Sequence, residues 1–189
     1  MTVALHRSHE PPGDVELLAA VAAGDLPALG QLFDRHEPSV RRYLCRMGVS
    51  SADVDDLVQA TFIEITAAAC RFEGQAARSW IFGVASIMLR RHRRSLSRAA
   101  ARLSAWSSLP HRVEATPVEL IERDETFLRF ERAFRALPSK KREAFVLVTL
   151  EGLTGEEAAA VLDVPINTVW TRLHHARLAL RAAIEAENP

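Results

Sequence analysis

The chain has 189 residues, and its 24 Lys and Arg balance 24 Asp and Glu, so the formal net charge is zero. That length allows one domain or two small ones, while 6% aromatics and few β-branched runs argue against an all-β fold. No stretch reaches the roughly 18 apolar residues that a membrane span needs, residues 1–13 hold no apolar export core, and two distant cysteines make neither a disulfide framework nor a metal site.

These exclusions leave a cytosolic, all-α protein, and zero charge taken as a total argues against a nucleic-acid partner. By position the balance breaks down. Residues 71–112 hold nine basic groups and one acid, whereas residues 1–70 hold five and ten. The basic block centres on Arg90, Arg91, Arg93, Arg94, Arg98 and Arg102, and clustered Arg on one element is the footprint of a phosphate-backbone contact.

In chain order, residues 14–23 read as a short helix ending at Gly24. Asp25 caps the next helix, with Pro27 in its first turn. Leu26, Leu29, Leu32 and Phe33 form a stripe that Pro38 is expected to kink or restart, and Val40, Tyr43, Leu44 and Met47 continue it to Gly48. Ser50 and Asp53 look like a cap, followed by Val54, Leu57, Val58, Thr61, Phe62 and Ile65 at helical spacing. On that helix Asp53, Asp56, Gln59, Ile63 and Glu64 are left facing outward. A further helix runs from Ala76 to about Arg98, with Trp80, Ile81, Val84, Ile87 and Met88 as its apolar side. Cys45 and Cys70 read as small buried hydrophobes.

From Ala99 to Pro117 periodicity fades into small, polar and Pro-containing sequence, which reads as a flexible linker. Helices resume over 118–137 and 139–151, stopped by Pro138 and Gly152. Two more follow, over 154–163 and from Ile166 to about Glu185. Thr154 and Glu157 spell a capping box. The last helix buries Ile166, Val169, Leu173, Ala176 and Leu180. Its other faces carry Asn167, Thr168, Trp170, Thr171, Arg172, His174, His175 and Arg177. A short helix, the Val164-Pro165 turn and a second helix with amides and Arg outward describe a helix-turn-helix. The outward residues near its start are placed to read base edges, and Arg172 and Arg177 to hold phosphates. His174 and His175 diverge by about 100° as helix neighbours, so a shared metal is not expected.

DVDDLVQATFIEIT at 53–66, then 72–94 through WIFGVASIMLRRHRR, resembles regions 2.2 to 2.4 of bacterial sigma factors. LPSKKREAFVLVTLEGLTGEEAAAVLDVPINTVWTRLHHARLALR at 137–181 resembles their region 4. With only a linker between, the chain resembles an extracytoplasmic-function (ECF, group 4) sigma factor over residues 14–97 and 118–185. The organisation so implied is a tail over 1–13, a region 2-like domain over 14–98, a linker over 99–117 and a region 4-like domain over 118–189.

The resemblance implies a promoter-specificity subunit that recruits core RNA polymerase, binds promoter DNA and answers to an anti-sigma factor. It implies no catalysis, cofactor, metal, membrane contact or small-molecule substrate. Core polymerase would dock on Asp53, Asp56, Gln59, Ile63 and Glu64, an acidic and partly apolar face suited to a basic protein surface. The −10 element would be melted and held by Phe72, Glu73, Gln75 and Arg78, which offer stacking and edge contacts to an unstacked base, and by Arg90, Arg91, Arg93 and Arg94. The −35 duplex would meet Asn167, Thr168, Trp170, Thr171, Arg172, His174, His175 and Arg177. Ser86, Asn167 and Trp170 depart from the residues common in the family, so neither the −10 nor the −35 sequence preference is carried over. Two other classes compete: a conventional helix-turn-helix regulator that binds intact duplex, which leaves the acidic helix and the Arg run unexplained, and a helical enzyme, for which no nucleophile-base, paired-carboxylate or metal-ligand pattern is present.

Overall fold

The computed structural model describes residues 12–74, 76–104 and 125–185. Gln75, the N-terminal tail and the expected linker beyond Ser104 lie outside the described residues, as does the start of the helix expected at Val118. Eight α-helices are seen among the described residues: α1 (Asp14–Ala22), α2 (Leu26–Arg46), α3 (Ser51–Ala68), α4 (Ala77–Ser104), α5 (Glu125–Ala136), α6 (Ser139–Phe145), α7 (Gly155–Leu162) and α8 (Ile166–Glu185). A 3₁₀ turn at Ala69–Arg71 follows α3, and a π-helical stretch at Val146–Leu150 extends α6. None of these helices is long and apolar enough to cross a membrane.

Local chemistry sets the boundaries. The Asp25 side chain accepts from the amide of Ala28 at 3.1 Å, and the Ser50 hydroxyl from that of Asp53 at 3.2 Å. Each satisfies an amide that the first helical turn leaves unpaired. Gly24, Gly48 and Gly152 close their helices at φ of 92°, 86° and 71°, a region that costs glycine nothing.

Pro38 neither ends nor restarts α2, which continues through it to Arg46. The amide it lacks would have bonded the carbonyl of Asp34, an exposed residue whose carbonyl water can serve. The helix expected to end near Arg98 continues to Ser104, because nothing in its Ala- and Arg-rich tail breaks a helix. Burial along it also differs. Ile81 and Val84 are buried as expected, with Trp80 and Met88 packed against the core, but Phe82, Ala85 and Leu89 are buried too and Ile87 is 40% exposed. Cys45 and Cys70 are exposed, not core. Neither lies on the stripes formed by Tyr43, Leu44 and Met47 or by Ile65, Ala68 and Ala69.

In the N-terminal half, α1 and α3 both lie against α2, and α4 closes the bundle against α3 and α2. His36, 6% exposed, bonds Asp14 through Nε2 at 2.7 Å and ties α2 to α1. In the C-terminal half, α5, α6 and α7 all lie on α8. The two helical halves, the expected pair of small domains, pack on each other. Helix α4 packs against α7, and α2 meets the π-helical stretch, so one apolar core runs from Leu17 to Leu180.

Candidate nucleic-acid and protein interfaces

The C-terminal half carries the clearest site. The Thr154 hydroxyl accepts from the amide of Glu157 at 3.2 Å, and the Glu157 carboxylate accepts from that of Thr154 at 2.8 Å, completing the capping box at α7. Asp163 then turns the chain at φ 53°, a left-handed position that short polar side chains tolerate. Helix α8 buries Val169, Leu173, Ala176 and Leu180, with Ile166 half-buried. Asn167, Trp170, Thr171, His174, His175 and Arg177 are exposed, and Thr168 and Arg172 partly so. The face expected to be polar is therefore the face left open. Thr171 bonds back to the Asn167 carbonyl at 2.8 Å, and His174 and His175 stand edge to face at 5.8 Å. Trp170 is 46% exposed, but its ring also rests over Gly155, where an added Cβ would lie 2.5 Å from Cζ2.

The N-terminal half presents two faces on adjoining helices. Val54, Leu57, Val58, Phe62 and Ile65 of α3 are buried. Asp56, Gln59 and Ile63 are exposed, Ile63 to 63%, and Asp53 and Glu64 partly so. The acidic and apolar face is thus open. At its edge Glu64 meets Arg91 of α4 at 3.1 Å, and Asp53 lies 3.9 Å from His92. Nearby, Arg41 is held by Glu37 and by Asp55 at 2.5 Å, contacts that raise its pKa further.

The arginines of α4 do not act as one run. Arg90 donates to the Ser86 hydroxyl at 2.8 Å, and Arg91 is paired with Glu64. Arg93 reaches across to the carbonyl of Met47 and to Ser139 of α6. Of the four, Arg94 alone has no partner among the described residues. In the preceding loop Glu73 is exposed, while the half-buried Phe72 ring is held by Trp80 at 5.4 Å, edge to face. Arg78 lies over the Phe82 ring at 5.4 Å and 3.6 Å from Glu151 of the C-terminal half.

That last ion pair belongs to a cluster that the sequence pattern does not announce. Glu143 and Glu151, only 8% and 5% exposed, leave the C-terminal half and end on the N-terminal one. The Tyr43 hydroxyl donates to Glu143 Oε1 at 2.7 Å and the Ser86 hydroxyl to the same oxygen at 2.6 Å. Arg46 binds Glu151 at 2.6 Å. Burial and the neighbouring Glu143 charge push the Tyr43 phenol well above its ordinary pKa, so it stays protonated as the donor. Burial, then Arg93 and Arg135, lower that of Arg142, which caps the carbonyl of Leu137 at 3.0 Å.

The geometry offers an open helix-turn-helix face, an acidic and apolar patch, and an Arg-bearing helix between them. Comparison with known proteins gives the family. Residues 32–103 match the family "Sigma-70 region 2" and residues 127–180 the family "Sigma-70, region 4". The ECF RNA polymerase sigma factor SigM of Mycobacterium tuberculosis is 32% identical over 88% of this chain and 82% of its own length. The ECF RNA polymerase sigma-E factor of Escherichia coli is 31% identical over 88% and 92%. Among solved structures, CnrH in complex with the cytosolic domain of CnrY superposes with a TM-score of 0.67 at 29% identity, over 93% of this chain and 99% of that one. The sigma factor RpoE in complex with the anti-sigma factor NepR, from Bartonella quintana, does so at 0.65 and 25%, over 84% and 98%. With both sigma regions in order and relatives matched over most of their length, the chain belongs to the ECF RNA polymerase sigma factors.

Proposed function

We propose that this chain is a group 4 sigma factor, which confers promoter specificity on core RNA polymerase in the cytoplasm and leaves the chemistry to the polymerase. Regions 2 and 4 follow one another with only residues 104–126 between their matched segments. In this reading Asp53, Asp56, Gln59, Ile63 and Glu64 dock core polymerase, with Ile63 as the apolar centre and the acids as a polar rim. The loop of Phe72, Glu73, Gln75 and Arg78, with Arg90, Arg91, Arg93 and Arg94, opens and holds −10 DNA. Asn167, Thr168, Trp170, Thr171, Arg172, His174, His175 and Arg177 meet the −35 duplex. An anti-sigma factor restrains the chain, as NepR accompanies RpoE in the related complex.

One observation carries the reading: an exposed polar helix-turn-helix face shares a chain with a second half whose acidic, apolar α3 face adjoins an Arg-rich helix. A duplex-binding regulator uses only the first of these. Run-off transcription with purified core polymerase on a library of promoter fragments tests it. Start-site-specific transcripts that require the chain are expected. Their absence from every fragment, with symmetric dimer binding to palindromic duplex in their place, overturns the proposal.

A further inference from the structure

Three arginines proposed above as DNA contacts are engaged inside the molecule. Arg78 faces Glu151, Arg93 bonds Ser139, and Arg90 bonds the Ser86 hydroxyl, which itself donates to Glu143. All of the C-terminal partners are region 4 groups. Glu143 has no cation within ion-pair distance among the described residues, so its charge is balanced by two hydroxyl donors converging on one oxygen. A buried carboxylate held in this way is costly to leave unmade. Both donors come from α2 and α4, so the hydrogen bonds that satisfy it here are supplied by the N-terminal half. Glu151 repeats the pattern with charge, taking Arg46 from α2 and Arg78 from α4.

We propose that region 4 latches the free chain shut by docking Glu143 and Glu151 onto the Tyr43, Ser86, Arg46 and Arg78 face of region 2, where they stand in for a nucleic-acid strand and exclude it. The occupant is the chain's own acid, and no partner protein is required for closure. The proposal rests on the promoter reading for the identity of the excluded strand, but closure itself does not. Carboxylates mimic phosphates chemically: each offers an anionic oxygen to Arg and hydroxyl donors. An open fraction that is small in the free chain reduces apparent strand affinity by that same fraction. Binding the strand then requires the halves to part, after which water and phosphate replace the two glutamates.

The test uses the full chain with Cys45→Ser and Ala182→Cys, spin-labelled at exposed Cys70 and at position 182, with dipolar distances measured between region 2 and region 4. The parent is expected to give one narrow distribution. Glu143→Ala with Glu151→Ala gives a broad, longer one, and affinity for a mixed-sequence single-stranded DNA oligonucleotide rises about tenfold or more. Glu151→Arg alone also opens the chain, and adding Arg46→Glu recloses it, a rescue that simple unfolding cannot produce. A broad parent distribution, or glutamate variants that stay narrow and bind the strand no better while run-off transcription remains intact, overturns the latch. Loss of start-site-specific run-off in every form, parent included, overturns the promoter reading instead, and the distances still decide the latch.

Discussion

Gly155 is the first residue of α7 and sits beneath the indole of Trp170. A methyl group there would lie 2.5 Å from Trp170 Cζ2, 2.9 Å from Cε2 and 3.3 Å from Ile166 Cδ1. Carbon pairs prefer roughly 3.5–4.0 Å, so the overlap is about an ångström. Trp170 is half-exposed and can swing away, but it then loses the surface against which it is ordered. Overpacking of this kind costs about 1–3 kcal/mol. Replacing a helical glycine by alanine returns up to about 1 kcal/mol. Gly155→Ala is therefore expected to destabilise region 4 by about 1–2 kcal/mol. With Trp170→Ala already in place, the same change should be neutral or stabilising by up to about 1 kcal/mol, a coupling of about 1–3 kcal/mol. Urea unfolding of the four proteins of the cycle measures this, provided the slopes agree. Equal destabilisation in both backgrounds would refute the claim that Gly155 makes room for the indole.

Tyr43 is the single tyrosine of the chain, so phenolate absorbance reports it alone. Its folded pKa is raised, so its stabilising contribution is complete below about pH 10 and is lost as pH climbs through the folded value; titration near pH 10 in the folded chain would show the hydroxyl is not buried against Glu143. Arg91→Ala with Arg94→Ala should flatten the salt dependence of open-complex formation by up to about 0.7–0.9 logarithmic units of slope for each phosphate left without its guanidinium, and an unchanged slope removes both from the DNA path. Thr154→Ala is expected to cost about 1 kcal/mol through the capping box, read as a fall in urea midpoint; a change within error would mean water replaces the cap fully.

The helix-turn-helix is legible in the sequence because its signals are local. Thr154 and Glu157 lie three apart, and Val169, Leu173, Ala176 and Leu180 repeat at helical spacing. The inward face of α3 is legible for the same reason. What escapes are features fixed by packing across the chain. Acid is ordinarily a surface residue, so nothing local marks Glu143 as the partner of Tyr43, 100 residues away. Pro38 misleads, because the cost of a helical proline depends on whether the orphaned carbonyl reaches water. The cysteines mislead because a small apolar residue fits a helix surface as readily as a core. Burial still shows in part at Cys45, where desolvation raises the thiol pKa and keeps it a poor thiolate. The Arg cluster is visible as charge, but not as the three separate attachments of Arg90, Arg91 and Arg93.

The Arg91–Glu64 pair has a consequence for how two ligands communicate. Glu64 belongs to the face proposed for polymerase and Arg91 to the helix proposed for DNA, yet in the free chain each occupies the other at 3.1 Å. A ligand that claims the carboxylate releases the guanidinium, and a phosphate that claims the guanidinium releases the carboxylate. By thermodynamic reciprocity the two binding steps assist each other by the same factor. An ion pair this exposed is worth at most about 1 kcal/mol, which caps its share of that cooperativity at roughly fivefold. The crossing point of the two faces thus acts as a small toggle, and its gain is set by solvent rather than by the fold.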